Sequence, residues 1–210
     1  MSNILAIDTA LGGCSVAHSC GVVRSLAERN QQTSQLAALT GQIMQEAGQS
    51  FAGLDAYAVT LGPGSFTGVR VGLAFVRGLA LAIPKPIYGI STLELLAYQS
   101  GAEGEVLSAI NAYRGMVYVQ RFQVNNGLPA AISEPQELAI DALPQGDFTV
   151  VGDAGEFFPN TSSLSLLPDA AALARYASKL PLPDIQHKPA PLYIRPPDAK
   201  AQNGDLTIAQ

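Results

Sequence analysis

The sequence predicts an α/β fold built on a mixed sheet, and three observations carry that prediction. Three short strand-like runs open the chain, helix patterns then alternate with further strand-like runs, and a glycine-rich turn at residues 62–72 (GPGSFTGVRVG) joins a strand to a long helix.

Residues 3–9 (NILAIDT) form an apolar run ending in an acid, 14–19 alternate, and 22–28 complete a meander across the turn at Gly21. Thr33 or Ser34 can cap a helix whose positions Leu36, Leu39, Thr40, Ile43, Met44 and Ala47 follow three- and four-residue steps. Gln35, Gln42, Gln45 and Glu46 lie opposite, and Gly48 ends the helix. Residues 56–61 read as a strand entering the glycine turn. An almost uniformly apolar helix leaves that turn at about Phe66 and runs to about Ile83, before Pro84 and Pro86. A strand at 87–90 and a helix from Ser91 or Thr92 to about Gln99 follow. The resulting order, βββαβαβα, is that of the ribonuclease H-like unit in actin, heat-shock chaperones and sugar kinases.

A small-residue stretch at 100–105 divides a first lobe, 1–100, from a smaller second lobe, 101–210. There, 106–111 and 116–124 read as strands around 112–115, 125–127 as a turn, 148–152 as a strand and 170–179 as a short helix. Six of the fourteen prolines fall within 181–197, so the tail is expected to be extended and unpaired, except over 192–195.

The 210 residues suffice for one large domain or two small ones. With 48% hydrophobic and 14% charged residues, the chain must hide much apolar surface, internally or against a partner. A net charge of −5 is not that of a protein that grips nucleic acid by itself, so contact with RNA would rest mainly on other subunits. Cys14 and Cys20 are the only cysteines and no basic-then-apolar leader opens the sequence, which makes a reducing cytoplasm the expected location. The most membrane-like stretch, 66–83, carries Arg70 and Arg77, each costing about 2.5–3.5 kcal/mol near a bilayer centre, so a buried or interfacial helix is expected there.

Strand, glycine turn and helix start can together bind an anion, because N–H groups at a helix N-terminus lack partners and sit at the positive end of its dipole. Gly68 is followed by Val69 and Arg70 and not by the Lys of a P-loop, and a Rossmann fingerprint would need a third glycine at Thr67. Two readings stay open. Gly64, Gly68 and Gly72, four residues apart, bare one side of the helix for close packing, which the spacing favours. Alternatively Gly62, Gly64, Ser65, Thr67 and Gly68 face a phosphate. Asp8 and Thr9 divide likewise between orienting a metal-bound phosphate, as a carboxylate in that place does in actin-like architectures, and capping the turn to Gly12 and Gly13. Asn111 holds the matching place in the second half, but an amide has no charge with which to hold a cation. Cys14, His18 and Cys20 share a strand face yet supply three ligands at most, and His187 stands alone, so buried thiols and a satisfied or surface histidine are expected. With two histidines, and with Ser65 outside a G-x-S-x-G elbow, no catalytic residue and no metal site is assigned.

Longer blocks carry a resemblance. ILAIDTA (4–10) with CSVA (14–17), GPGSFTGVRVGLAFVRGLALA (62–82), GISTLELLA (89–97), INAYRGMVY (110–118) and PLYIR (191–195) closely resemble the TsaB (YeaZ) family of bacterial tRNA threonylcarbamoyladenosine biosynthesis, which is glycoprotease-like and peptidase M22-like. The match runs nearly end to end, with 123–168 undiagnostic. It implies an actin-like ATPase (ASKHA, ribonuclease H-like) fold of two related lobes with mixed sheets. It also implies a non-catalytic scaffolding and activating partner of a TsaD-like catalytic paralogue, which places a threonylcarbamoyl group on the adenosine next to the tRNA anticodon. A TsaE-like ATPase would join the assembly, and tRNA would be held mainly through the partners. The paralogue's His-x-x-x-His metal pair has no counterpart in 31–39 (QQTSQLAAL), where Gln32 matches a histidine of relatives, so no cofactor is expected beyond ATP or ADP at the assembled complex.

In complexes of that family the first helix and the glycine-led helix pack against the paralogue's equivalent pair as a bundle. The resemblance therefore makes Leu36, Leu39, Ile43, Val69, Gly72, Leu73 and Val76 the expected contacts, with a homodimer through the same surface when the partner is absent. For Val69 and Val76, core and interface both stay open, because periodicity does not separate two buried faces. A glutamate at Leu39 or Val76 is expected on this reading to abolish pairing and leave the chain folded. Two other classes remain: an actin-like-fold phosphotransferase or ATPase acting alone through Asp8 and residues 62–68, and a glycopeptidase, suggested by the class name alone.

Overall fold

The computed structural model of the chain describes residues 2–11, 13–26 and 32–194, the side chains of 32–34 excepted. The first lobe contains β1 (Ile4–Asp8), β2 (Cys14–His18), β3 (Val23–Leu26), α1 (Gln32–Glu46), β4 (Ala56–Thr60), α2 (Phe66–Ala82), β5 (Ile87–Ile90) and α3 (Thr92–Gln99). Its sheet runs β3-β2-β1-β4-β5, the meander antiparallel and β4 parallel to both β1 and β5. This is the expected ribonuclease H-like unit. β1, β2 and β4 are buried along their whole length because helices cover both faces of the sheet.

Local signals set the helix limits. Ser65 caps α2 by accepting a hydrogen bond from the Gly68 N–H at 3.2 Å, and the helix stops at Ile83, directly before Pro84. Ser91 caps α3 in the same way, accepting from the Leu93 N–H. α1 already begins at Gln32, so the caps expected at Thr33 or Ser34 fall inside it.

The second lobe holds β6 (Gly104–Tyr113), β7 (Met116–Asn125), β8 (Leu128–Ala131), β9 (Gln136–Ala139), β10 (Thr149–Gly152), β11 (Ser163–Ser165) and α4 (Ala170–Ala177). Its order, β11-β10-β6-β7-β8 with β9 also on β7, repeats the first sheet: an antiparallel hairpin, then parallel β6, β10 and β11. The lobes are thus two related mixed-sheet units of an actin-like α/β fold. Where the first lobe has α1 and α2, the second has, among the described residues, only single 3-10 turns, Ile140–Ala142 and Gly155–Phe157. Strands β8, β9 and β11 go beyond the sequence expectation. Pro129 interrupts β8, and β11 is three exposed residues, so neither shows an apolar alternation.

The last helix of each lobe covers the sheet of the other. α3 lies on β6, β7 and β10, whereas α4 lies on β1, β2 and β4. Leu93, Leu96 and Ala97 of α3 accordingly share a core with Val106, Ile110, Phe122 and Val151. Ala170, Leu173 and Tyr176 of α4 share one with Ile4, Ala6 and Ala58. The opposite face of the first sheet packs Leu5, Ile7, Val16, Tyr57 and Val59 under α1 and α2.

The proline-rich tail forms no strand over 181–194. It is strapped along α2 and the end of β4: the Leu192 N–H donates to the Leu61 carbonyl at 2.8 Å, Arg77 Nη2 to the Pro189 carbonyl at 2.6 Å, and Arg70 Nε to the Tyr193 hydroxyl at 2.8 Å. Arg195, the end of the pairing expected over 192–195, lies outside the described residues. Among those residues no helix is long and apolar enough to cross a membrane.

Candidate functional site

The glycine turn and the turn after β1 meet backbone to backbone. The Ser65 N–H donates to the Ala10 carbonyl at 2.8 Å, and the Thr9 hydroxyl donates to the Gly68 carbonyl at 2.7 Å in a buried position. A Cβ on Gly64 would overlap the Ala10 carbonyl oxygen. One on Gly68 would overlap the Thr9 carbonyl oxygen, and one on Gly72 the Thr9 hydroxyl. The three glycines spaced four apart therefore bare a helix face for Thr9 and Ala10, which is the packing reading of that spacing. Gly62 has φ +92, a conformation that favours glycine, and is buried beneath Leu192. Ser65 and Thr67 face outward.

Asp8 is almost wholly buried at the end of β1. Its Oδ1 accepts from the Thr60 hydroxyl at 2.7 Å and from the Ala10 N–H at 3.2 Å, the second of these being the turn-capping bond the sequence allows. Burial pushes this carboxyl up to about 7; the two hydrogen bonds pull against that shift, and Asp169 adds to it. Asp8 and Asp169 line a pocket of about 450 Å³ with Ser15 and Ser25. Asp169 also caps α4, accepting from the Ala172 N–H at 2.8 Å, and Ser15 Oγ accepts from the Ala170 N–H at 2.9 Å.

A second cavity, of about 280 Å³, lies in the cleft between the lobes. Ala10, Gly64, Ser65 and Phe66 line it from one side, and Asn111, Tyr113 and Asp153 from the other. Asn111, expected to match Asp8, lies two residues before the end of β6: its N–H donates to Asp153 Oδ1 at 2.8 Å, and its Oδ1 accepts from the Tyr113 N–H at 2.8 Å. Tyr113, Arg114 and Gly115 all have positive φ, so this hairpin turn presents Tyr113 outward. Thr60, Asp153 and Asp169 were not singled out in the sequence. The parallel register that sets Ile7 beside Val59 brings Thr60 level with Asp8, and this pairing is the signal that would have found it.

Cys14 and His18 are buried, and Cys20 is exposed in the turn beyond them. His18 Nδ1 accepts from the Cys20 N–H at 3.2 Å, leaving Nε2 as the protonated nitrogen, buried and without a partner. Burial holds His18 below its ordinary pKa and raises the Cys14 thiol to about 11. Both groups are neutral; Cys14 is the buried thiol expected, whereas Cys20 is exposed and His18 is neither at the surface nor fully satisfied, because the strand ends before Cys20 and Nε2 points into the core. Among the described residues, no group of three or more His, Cys, Asp or Glu is placed to share a metal ion.

The residues expected at a partner interface turn inward. Leu36, Leu39, Ile43, Leu73 and Val76 belong to the core under α1 and α2, and Val69 and Gly72 are also buried. The reason is geometric: both helices cover the same sheet face, so their most apolar stripes meet β1, β2 and β4 first. The outward faces carry other residues. On α1 they are Gln35, Ala37, Ala38, Gly41 and Gln42, and on α2 Thr67, Arg70, Ala74, Gly78 and Ala82. Nothing stands within 4 Å of where a Cβ on Gly41 or Gly78 would lie.

Residues 4–152 match the family described as TsaD, tRNA N6-adenosine threonylcarbamoyltransferase. The tRNA threonylcarbamoyladenosine biosynthesis protein TsaB of Escherichia coli is 34% identical over 75% of this chain and 74% of its own length. An uncharacterized protein of Mycobacterium tuberculosis is 31% identical over 95% of both chains. Among solved structures, YeaZ from Pseudomonas aeruginosa superposes with a TM-score of 0.81 at 27% identity, covering 92% of this chain and all of that one.

Proposed function

The chain belongs to the TsaB (YeaZ) branch of the TsaD-type, glycoprotease-like family, and from that premise we propose that it serves tRNA threonylcarbamoyladenosine biosynthesis as a non-catalytic scaffolding and activating partner of a TsaD-like paralogue. The observation that carries this reading is the outward face of the α1 and α2 pair. Ala37, Ala38, Gly41, Ala74 and Gly78 form a strip of small residues on it, flanked by Gln35, Gln42, Thr67 and Arg70, so that a second helix pair can approach the strip at close range. The second lobe has no such pair, which gives the molecule one helical docking face of this kind among the described residues. The seven residues expected as contacts, Leu36, Leu39, Ile43, Val69, Gly72, Leu73 and Val76, act from beneath, fixing α1 and α2 on the sheet.

Several properties of the glycine turn support a structural role for it. Its small face is filled by Thr9 and Ala10, and Asp8 is engaged by Thr60 and does not line the cleft cavity. A TsaE-like ATPase and tRNA would join the complex chiefly through the paralogue, in keeping with the −5 charge of this chain. The proposed place of work is the cytoplasm, and the same face would form a homodimer when the paralogue is absent.

The deciding experiment omits this chain from a mixture of threonylcarbamoyl-adenylate, unmodified tRNA, the paralogue and the ATPase, and quantifies modified adenosine by mass spectrometry of digested tRNA. Product that disappears on omission and returns on adding the chain back is the expected result. Equal product either way overturns the reading. A nucleotide-binding phosphotransferase or ATPase acting alone is the second reading, favoured by the cleft cavity between Ser65 and Asp153. Magnesium-dependent binding of ATP to the isolated chain, read by calorimetry, would select it.

A further inference from the structure

At the far end of α2 from the glycine turn, the chain forms a pocket of about 320 Å³ with an unusual composition for an acidic protein. Ala80, Leu81, Pro84, Ile87 and Ile185 make its walls, and the remaining lining residues are Arg77, Lys85, His187 and Lys188. Among the described residues no carboxylate lines it, although the chain has 17 Asp and Glu against 12 Lys and Arg. Among the described residues, Arg77, Lys85 and Lys188 have no ion pair with an acid. The pocket joins parts distant in sequence: the last turns of α2, the loop before β5, and the tail. The tail wall is pinned by the bond from Arg77 to the Pro189 carbonyl and by the contact of Pro189 with Gly89.

Part of this arrangement has a local explanation, since cations beside a helix C-terminus offset the negative end of its dipole. That accounts for Lys85, three residues beyond the end of α2. It does not account for Lys188, brought in by the tail, nor for the aliphatic walls. Leu81 is 83% exposed and Ile185 53% exposed beside these cations, and a site of aliphatic walls with a cationic rim complements a ligand that is apolar at its centre and anionic around it.

We propose that this pocket seats an acidic polypeptide segment of a protein partner, one aliphatic side chain entering between Leu81, Ile87 and Ile185 while flanking carboxylates rest on Arg77, Lys85 and Lys188. RNA is the poorer occupant, because no Phe, Tyr or Trp ring lines the pocket, His187 is its single ring, and the aliphatic walls offer phosphates nothing. The docking face of α1 and α2 does not include these residues, so the proposal stands or falls separately from the proposed function.

The test pans the full chain and its K85E/K188E variant against a displayed random peptide library. Selected sequences are then measured as fluorescein-labelled synthetic peptides by anisotropy. The expected selection is of peptides with net negative charge around a Leu, Ile, Val or Met. Their affinity should fall by about tenfold or more in K85E/K188E, and also in Lys188→Ala, with the thermal midpoint of Lys188→Ala unchanged and that of K85E/K188E slightly lowered by the lost charge at the end of α2. Leu81→Ser should weaken the same peptides. The proposal is overturned if the selected peptides lack that signature or bind the variants equally well. It is also overturned if an oligouridine, or vesicles containing phosphatidylserine, bind in a Lys85- and Lys188-dependent way and the peptides do not.

Discussion

The carbonyl oxygen of Thr9 occupies the place where a side chain on Gly68 would begin, while the hydroxyl of the same threonine donates to the Gly68 carbonyl across 2.7 Å. One residue at the end of β1 thus determines both how close α2 lies and which residue α2 can carry there. Gly68→Ala would force backbone against backbone, where no flexible side chain can yield, and is expected to destabilise the chain by about 3 kcal/mol or more. Thr9→Val keeps the shape and removes only the donor, so a smaller loss of about 1 kcal/mol is expected. Urea denaturation followed by circular dichroism checks both. Equal stability of Gly68→Ala and the parent would mean that the close approach does not exist.

Asp8 should make the protein less stable as pH rises. Its folded-state pKa of about 7 lies above the ordinary value of 3.8, so between those values the folded state holds a proton that the unfolded chain has released. The stabilisation is full below pH 3.8 and is lost as pH rises through about 7. The difference corresponds to about 4 kcal/mol. Asp8→Asn can still accept from Thr60 and Ala10 through its amide oxygen, and carries no charge. It is expected to exceed the parent in stability at pH 8 by a few kcal/mol and to match it near pH 4. His18 works in the other direction: its lowered pKa removes stability as pH falls below 6.5, where the unfolded chain takes up a proton first. Denaturant titrations of parent, Asp8→Asn and His18→Gln across that range separate the two contributions. A parent and Asp8→Asn curve that run parallel would show that Asp8 titrates normally.

The first lobe was more legible in the sequence than the second, for a physical reason. β1, β4 and β5 are covered on both faces and read as continuous apolar runs, and α2 and α3 carry Ser65 and Ser91 at their starts. β8, β9 and β11 lie at the margins of the second sheet, half covered or exposed, so burial left no alternation to read. At the site, spacing alone suggested that Gly64, Gly68 and Gly72 share a face, but not that Thr9 and Ala10 fill it. The inward and outward faces of α2 were the hardest to separate. Val71, Phe75, Leu79 and Ala80 flank its buried stripe, and Leu81 lies in the open, so apolar residues surround the axis and periodicity gives no direction.

That geometry revises which substitutions should uncouple the proposed complex. Val76 is fully buried and Leu39 nearly so, and a glutamate at either would be an unpaired charge inside this chain. Val76→Glu is therefore expected to unfold the protein, contrary to the expectation drawn from sequence. Gly78→Glu places its carboxylate in open space on an exposed helix face and should raise helix stability slightly, by about 0.5 kcal/mol. In a helix bundle with the paralogue the same carboxylate would be desolvated, weakening association by about 2 kcal/mol or more, roughly thirtyfold. Thermal melts with sedimentation or calorimetric titration against the paralogue distinguish these outcomes. Unaltered affinity for Gly78→Glu would move the interface off this face.

The bond from the Tyr176 hydroxyl to Glu94 Oε1, at 2.6 Å, spans α4 and α3, each of which serves the opposite lobe. Tyr176 is 2% exposed and stacks on Tyr98 at 4.5 Å, so the hydroxyl is delivered to Glu94 by a ring with little freedom to move. Burial, and then the bond to Glu94, hold this phenol far above its ordinary pKa, so it remains a donor under all working conditions. Tyr176→Phe preserves the stack and leaves a half-buried carboxylate without its donor, a loss of about 1–3 kcal/mol. Glu94→Gln keeps an acceptor in place and should cost less. Because the two helices tie the lobes to each other, the deficit should appear as faster amide hydrogen exchange in both α3 and α4, with β4 and β7 unaffected. Exchange that rises in α4 alone would show that this pair stabilises one helix and does not join the lobes.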